Sequence, residues 1–241
     1  MILCLDAGNS RLKCGLFDGS GWRMQGAVNY QAFDDLIGEL PEKPTSILAC
    51  NVAGEAVRLR IKALANSLAT PLDWFISSAT SCGVTNSYDA PEQLGADRWA
   101  ALIGARALHS GPSVVAMAGT ATTIDILDGN GVFRGGLILP GLELMRTALA
   151  HNTADLPNAT GQFRSQPTNT DDAIISGAIH ATQGAIERLL ATLGDDRLCL
   201  LSGGAAAELA PHLGVPHRLI DNLVLEGLAR YSRACSSIAP H

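Results

Sequence analysis

The chain has 241 residues, 47% of them hydrophobic and only 5% aromatic, which allows one large or two modest cores packed from aliphatic side chains. Seventeen basic and 23 acidic residues give a formal net charge of −6, too little positive field to collect a phosphodiester backbone, which argues against nucleic-acid binding. Met1 runs directly into an apolar strand pattern with no basic leader and no long apolar segment, so a cytoplasmic protein without membrane contact is expected.

The opening reads as strand, tight turn, strand: Ile2–Leu5, the turn Asp6-Ala7-Gly8-Asn9-Ser10, then Leu12–Phe17, and after Asp18-Gly19-Ser20-Gly21 a third strand, Trp22–Val28. Helical spacing around Ala32–Leu40, an apolar strand at Ser46–Val52 and a periodic helix at Glu55–Leu68 make this half mixed α/β. A further helix is expected over Gly95–Leu108, stopped by Gly111-Pro112, and the domain boundary is placed there: 1–112 and 113–241. Strands follow at Ser113–Met117, Ala121–Leu127 and Val132–Leu139. His151–Asn169 reads as a polar, mobile connection, Asp171–Leu193 as a long helix, and Arg197–Ser202 as a buried strand. Gly203-Gly204 opens a helix over Ala205–Leu213, and a last helix covers Leu223–Tyr231.

Both halves open alike. Leu3-Cys4-Leu5-Asp6-Ala7-Gly8-Asn9-Ser10 and Val114-Val115-Ala116-Met117-Ala118-Gly119-Thr120-Ala121 share an apolar run, an Ala-Gly pair and a small polar residue, the pattern of a duplicated strand–turn–strand unit. A glycine turn between strands lets backbone N–H groups approach a phosphate with no Cβ in the way. Asp6, Gly8, Asn9, Ser10 and Lys13 supply such a turn with hydroxyl and amide donors, a cation, and a carboxylate able to hold Mg²⁺ through water. The same peptide alone is equally a hairpin turn. Gly119-Thr120-Ala121-Thr122-Thr123 is a second candidate turn, and Ser202-Gly203-Gly204 a third, suited to a flat or anionic ligand or simply to joining strand and helix.

Asp97-Arg98 presents a carboxylate and a guanidinium together at a helix start. Asp97 suits the base that accepts a hydroxyl proton, and Arg98 suits a bidentate carboxylate clamp; an acid favouring the helix dipole beside an exposed Arg explains the pair equally well locally. The six histidines lack ligand or triad spacing. The six cysteines lack paired spacing and read as buried free thiols, with no structural metal or disulfide framework.

Taken in order, these segments resemble the type III pantothenate kinases, the family that includes the Bvg accessory factors, across nearly the whole chain. The resemblance rests on Asp6-x-Gly8-Asn9-Ser10-x-x-Lys13, Tyr88-x-x-Pro91-x-x-Leu94-Gly95-x-Asp97-Arg98 and Gly119-Thr120-Ala121-Thr122-Thr123-x-Asp125. It extends through Gly135-Gly136-x-Ile138-x-Pro140-Gly141, Thr170-x-x-Ala173-x-x-x-Gly177 and Ser202-Gly203-Gly204. It implies an α/β fold of two duplicated ribonuclease-H-like domains, of the actin/Hsp70/acetate-sugar kinase type, with a cleft between them. The activity implied is phosphorylation of pantothenate by Mg·ATP, the first step toward coenzyme A. Asp6 to Lys13 would form the first phosphate loop, Thr120 would contact phosphate from the second, and Gly203 and Gly204 would border adenosine. Asp97 would be the base, and Tyr88, Gly95, Ala96, Asp97, Arg98 and Thr170 would line a pantothenate pocket completed across a homodimer interface.

One position departs from the family pattern. Members commonly carry Asp two residues before the second-loop glycine, where it binds an activating potassium or ammonium ion, and here that residue is Met117, a thioether unsuited to such a cation. The monovalent site is therefore not carried over. A kinase of another small hydroxylated acceptor, or a non-catalytic accessory regulator, remains the alternative to a pantothenate kinase.

Overall fold

The computed structural model describes residues 1–35, 38 and 40–236. The chain forms two compact units, Met1–Leu108 with Asn222–His241, and His109–Asp221. The expected division at 112/113 differs from this in two respects: the break falls at 108/109, and the closing segment, assigned from sequence order to the second half, packs with the first.

Unit 1 opens with the meander β1 (Ile2–Ala7), β2 (Leu12–Phe17) and β3 (Trp22–Val28), continues through β4 (Ser46–Asn51), α1 (Glu55–Ser67) and β5 (Leu72–Trp74), and adds a short hairpin, β6 (Thr80–Ser81) and β7 (Val84–Asn86). A 3₁₀ turn covers Tyr30–Asp35; the rest of the helix expected over Ala32–Leu40 includes residues 36, 37 and 39, which lie outside the described residues. Its main sheet runs β3-β2-β1-β4-β5, antiparallel through the meander and parallel from β1 to β4 and on to β5. Leu3, Cys4 and Leu5 are all fully buried because β1 is central and covered on both faces, which is why it reads as an unbroken apolar run rather than an alternation. On one face Leu3, Leu5 and Ile47 pack with Ile61, Leu64 and Ala65 of α1.

Helix α2 (Ala96–Leu108) and the closing helix, Leu223–Ser236, pack closely together. Two glycines set that approach: a Cβ on Gly104 would lie 2.5 Å from the Leu223 carbonyl oxygen, and one on Gly227 only 1.8 Å from that of Ala100. Trp22 of β3 donates from Nε1 to Glu226 at 2.8 Å, tying the closing helix back to the meander.

Unit 2 repeats the plan. β8 (Ser113–Ala118), β9 (Ala121–Leu127) and β10 (Val132–Pro140) form the meander, and β11 (Leu198–Ser202) and β12 (His217–Leu219) extend it in parallel from β8, so its strands run β10-β9-β8-β11-β12. That order matches unit 1 strand for strand, which is the duplication the paired turns suggested. After β10 come α3 (Leu142–Asn152) and α4 (Thr170–Leu190). Val114, Ala116 and Ile124 pack with Ile175, Ala178 and Ile179 of α4 in one core. The helix expected over Ala205–Leu213 is a four-residue helix α5, Ala206–Leu209, followed by a 3₁₀ turn at Ala210–His212, where Pro211 denies the helix an amide donor. The closing helix of unit 1 is therefore α6.

The connection expected to be mobile over His151–Asn169 is shorter, since α3 extends to Asn152, and it is anchored. Backbone N–H groups of Thr160, Gln162 and Arg164 donate to the side chains of Asp171, Asp172 and Ser176 on α4 at 3.0, 2.7 and 2.9 Å. Cys4, Cys14, Cys50 and Cys199 are buried free thiols as expected, whereas Cys82 is half-buried and Cys235 exposed.

Candidate active site in two half-sites

In unit 1 the turn between β1 and β2 puts Asp6 directly across from Lys13 in the antiparallel register, with Gly8 half-buried and Asn9 and Ser10 exposed at the tip. Tyr30, absent from the sequence reading, donates its hydroxyl to the Gly8 carbonyl at 2.5 Å and so braces the turn from beneath. Asp6 is only 7% exposed, and burial pushes its pKa up to about 7; Lys13 opposes that rise and the charge of Asp97 adds to it. Lys13 is driven the other way, its pKa lowered by burial despite the pull of Asp6. A buried acid held against its own ionisation is a good partner for a cation, and a single carboxylate beside a phosphate turn is what Mg²⁺ commonly uses, keeping its waters and the phosphate oxygens for the rest. Among the described residues no group of three or more His, Cys, Asp or Glu side chains could cage a metal without that help.

Gly95 precedes α2, and Ala96 and Asp97 begin it. The Asp97 side chain folds back to accept the Arg98 backbone N–H at 2.8 Å, and a Cβ on Gly95 would come within 2.7 Å of its Oδ1, so glycine leaves room for the carboxylate. Burial raises the Asp97 pKa, with Arg98 working against the rise. Arg98 is 5% exposed, which removes the reading of a solvent-facing Arg. Its Nη1 donates to the Tyr88 hydroxyl at 2.9 Å and its guanidinium lies 5.7 Å from the Tyr88 ring centroid. In unit 1 Asp6 and Lys13 face each other beside the first turn, Gly95, Ala96, Asp97 and Arg98 share the start of α2 with Tyr88 bonded to Arg98, and the charge of Asp97 raises the proton affinity of Asp6.

In unit 2 three backbone segments meet at the second turn. Ala118, Gly119 and Thr120 are met by Gly141, whose N–H donates to the Thr120 carbonyl at 2.8 Å, and by Ala205, whose N–H donates to the Ala118 carbonyl at 3.0 Å. A Cβ on Gly141 would stand 2.1 Å from the Gly119 carbonyl oxygen, and one on Gly203, whose φ is +107°, 2.3 Å from that of Ala118. Thr120, Gly203 and Gly204 thus belong to one cradle of backbone in which two approaches admit only glycine. Thr122 and Thr123 carry buried hydroxyls with no hydrogen-bond partner among the described residues, donors available to a ligand. Fully buried Asp125 sits across β10 from Gly136, where a Cβ would lie 2.1 Å from its Oδ1. The spacing of Asp125 against Gly135-Gly136 was visible in the chain; its register was not.

Thr170 stands apart from that cradle, exposed at the first turn of α4. It borders an apolar groove of about 710 Å³ between α3 and α4, with Met145, Leu149, Leu156, Ala173 and Ile174 in its walls. Among the described residues no helix is long and apolar enough to cross a membrane.

Residues 2–192 match the family model for type III pantothenate kinase. A type III pantothenate kinase from Dechloromonas aromatica is 50% identical over 232 residues, covering 95% of this chain and 97% of that protein. Among solved structures, a Baf-family protein from Campylobacter jejuni aligns over 98% of this chain and 100% of its own with a TM-score of 0.67 at 22% identity. The activator of 2-hydroxyisocaproyl-CoA dehydratase from Clostridium difficile, solved with bound ADPNP, aligns over 100% and 98% with a TM-score of 0.52 at 11% identity. Those two likenesses bear on the fold alone, a pair of duplicated actin/Hsp70/sugar-kinase domains. By the family model and by identity over nearly its full length, the chain belongs to the type III pantothenate kinases.

Proposed function

We propose that the protein transfers the γ-phosphoryl group of ATP to the primary hydroxyl of pantothenate, giving 4′-phosphopantothenate and ADP, the first step of coenzyme A synthesis. The observation that carries this reading is the pair at the start of α2: a half-buried carboxylate, Asp97, next to a buried guanidinium, Arg98, oriented by Tyr88. A carboxylate of raised pKa is a stronger base for the hydroxyl proton, and an Arg held by a phenol is set for a bidentate grip on the pantothenate carboxylate. Tyr88, Gly95, Ala96 and Thr170 line the rest of the acceptor pocket in this reading.

The turn Asp6, Gly8, Asn9, Ser10 and Lys13 binds ATP phosphate, Thr120 contacts ATP phosphate from the second turn, and Gly203 and Gly204 leave room for the adenosine. Asp6 would hold Mg²⁺ through water, and the metal would supply charge neutralisation on the phosphate oxygens. As Asp97 takes the proton, the acceptor oxygen bonds to the γ-phosphorus and the bond between that phosphorus and the β–γ bridging oxygen breaks, releasing ADP. The enzyme works in the cytoplasm as a homodimer, and the apolar groove between α3 and α4, with Thr170 on its rim, is the surface that a second copy covers.

The test is phosphorylation of pantothenate by the purified protein with ATP and Mg²⁺, run beside a panel of sugars and other small alcohols. Phosphopantothenate formation at a rate far above the panel is expected. Phosphorylation of a sugar with none of pantothenate would reject the acceptor assignment and keep the fold.

A further inference from the structure

The duplicated strand–turn–strand unit is chemically lopsided. In unit 1, β1 ends on Asp6, two residues before Gly8, and the residue across from it on β2 is Lys13. In unit 2 the matching positions are Met117, two residues before Gly119, and Thr123 across from it on β9. The other neighbour of Met117, on β11, is Ser202. Directly paired residues of adjacent strands project from the same face, so a thioether stands in a row between two hydroxyls where the first unit has an acid beside a lysine.

That row has a definite ligand chemistry. Hydroxyls and backbone dipoles suit an anion, and the Thr123 hydroxyl, buried and without a partner among the described residues, is a donor ready for one. Potassium or ammonium is held by hard oxygen ligands, and the soft thioether of Met117 supplies none at this position. Asp125 shares the strand and face of Thr123 but lies two residues further from the turn, about 7 Å along the strand. It is fully buried against Gly136 and already engaged in interactions of its own.

We infer that the second glycine turn is a neutral anion cradle, and that phosphoryl transfer by this enzyme runs without a bound potassium or ammonium ion. The inference rests on the kinase reading above and deepens it: the second glycine turn meets phosphate with neutral dipoles and no bound cation.

The experiment measures Mg·ATP affinity by calorimetry, and separately pantothenate turnover, in potassium, ammonium and choline chloride at matched ionic strength. For the natural chain both quantities should agree within about twofold across the three salts. A loss of about tenfold or more in choline, in either quantity, overturns the inference. Met117→Leu should stay equally indifferent, whereas Met117→Asp should gain potassium dependence, its ATP affinity falling about tenfold in choline. A folded Met117→Asp protein that remains indifferent means position 117 does not decide the matter, and the inference fails. Should the buried acid prevent folding, the natural chain and Met117→Leu still decide it. Absence of pantothenate turnover in every salt with normal nucleotide affinity counts against the acceptor, and the affinity series continues to judge the cation.

Discussion

At the residue scale the proposed chemistry divides between Asp97, as base, and Arg98, as carboxylate clamp. Replacing the carboxylate by its isosteric amide, Asp97→Asn, keeps the shape and can still accept the Arg98 N–H but removes the base. We expect kcat to fall by about 10²–10⁴, the usual worth of general base catalysis, with ATP affinity nearly unchanged; steady-state kinetics and calorimetry read the two. Because burial raises the Asp97 pKa and the base acts deprotonated, kcat/KM should rise with pH through that raised pKa, and this acid limb should vanish from the residual rate of Asp97→Asn. Arg98→Lys tests the clamp. A lysine ammonium keeps the charge but loses both the planar fork and the bond from Nη1 to Tyr88, so the KM for the acceptor should rise about tenfold or more with kcat less affected. A change confined to kcat would show that Arg98 acts on the transition state rather than on binding.

At the element scale the fold depends on close backbone approaches that only glycine permits, above all between α2 and α6. Gly227→Ala would place a methyl group 1.8 Å from the Ala100 carbonyl oxygen, so the helices must move apart. Overpacking of this kind costs about 1–3 kcal/mol, read as a lower urea midpoint, and since Ala100 follows Asp97 and Arg98 in the same first turns of α2, turnover should fall as well. The strands of both meanders, the long helices and all three glycine turns were legible from hydrophobic period and glycine placement, because those signals are local. What was not legible is spatial. β5 and β12 have three residues each, too few to show a period, and α3 was not read as an element, although only its last two residues fall in the segment His151–Asn169 read as a connection. The return of α6 to the first unit could not be seen because nothing in Leu223–Ser236 names its partner; only Gly104 and Gly227, met as a pair, hint at a helix crossing. Likewise Asp6 and Asp97 each stood out as candidate acids, yet 91 positions of chain separate them, and the charge effect of Asp97 on Asp6 exists only in the folded unit.

At the scale of the whole molecule these acids set an unusual pH dependence of stability. Three exposed or partly exposed carboxylates are held below their ordinary range. Asp18 is lowered first by the Ser20 hydroxyl and then by backbone N–H groups of Gly21 and Ser20. In Asp128, burial works upward but is outweighed by bonds from Val132, Arg134 and Asn130, and Asp172 is lowered first by the Gln162 N–H and then by Asn169. Their contribution is present above the unfolded carboxylate pKa of about 4 and is lost as pH falls through the lower folded values. Asp6 acts in the opposite sense. With a folded pKa of about 7 against 3.8, the folded state binds more protons than the unfolded one between those values, so stability falls as pH climbs from about 4 to about 7 and stays low above. Asp97, also raised, adds to that slope. The ligand-free protein should therefore melt highest in mildly acidic buffer and lose stability toward pH 8. Asp6→Asn, which cannot ionise, should flatten the slope on the alkaline side. Mg·ATP should flatten it too, since a cation next to the Asp6 carboxylate favours its charged form and binding stabilises the folded state by mass action. Thermal melts of the natural chain and Asp6→Asn from pH 5 to pH 8, each with and without Mg·ATP, separate the two effects; a natural chain whose midpoint rises toward pH 8 without ligand would mean that Asp6 is not the buried, reluctant acid on which the first phosphate turn depends.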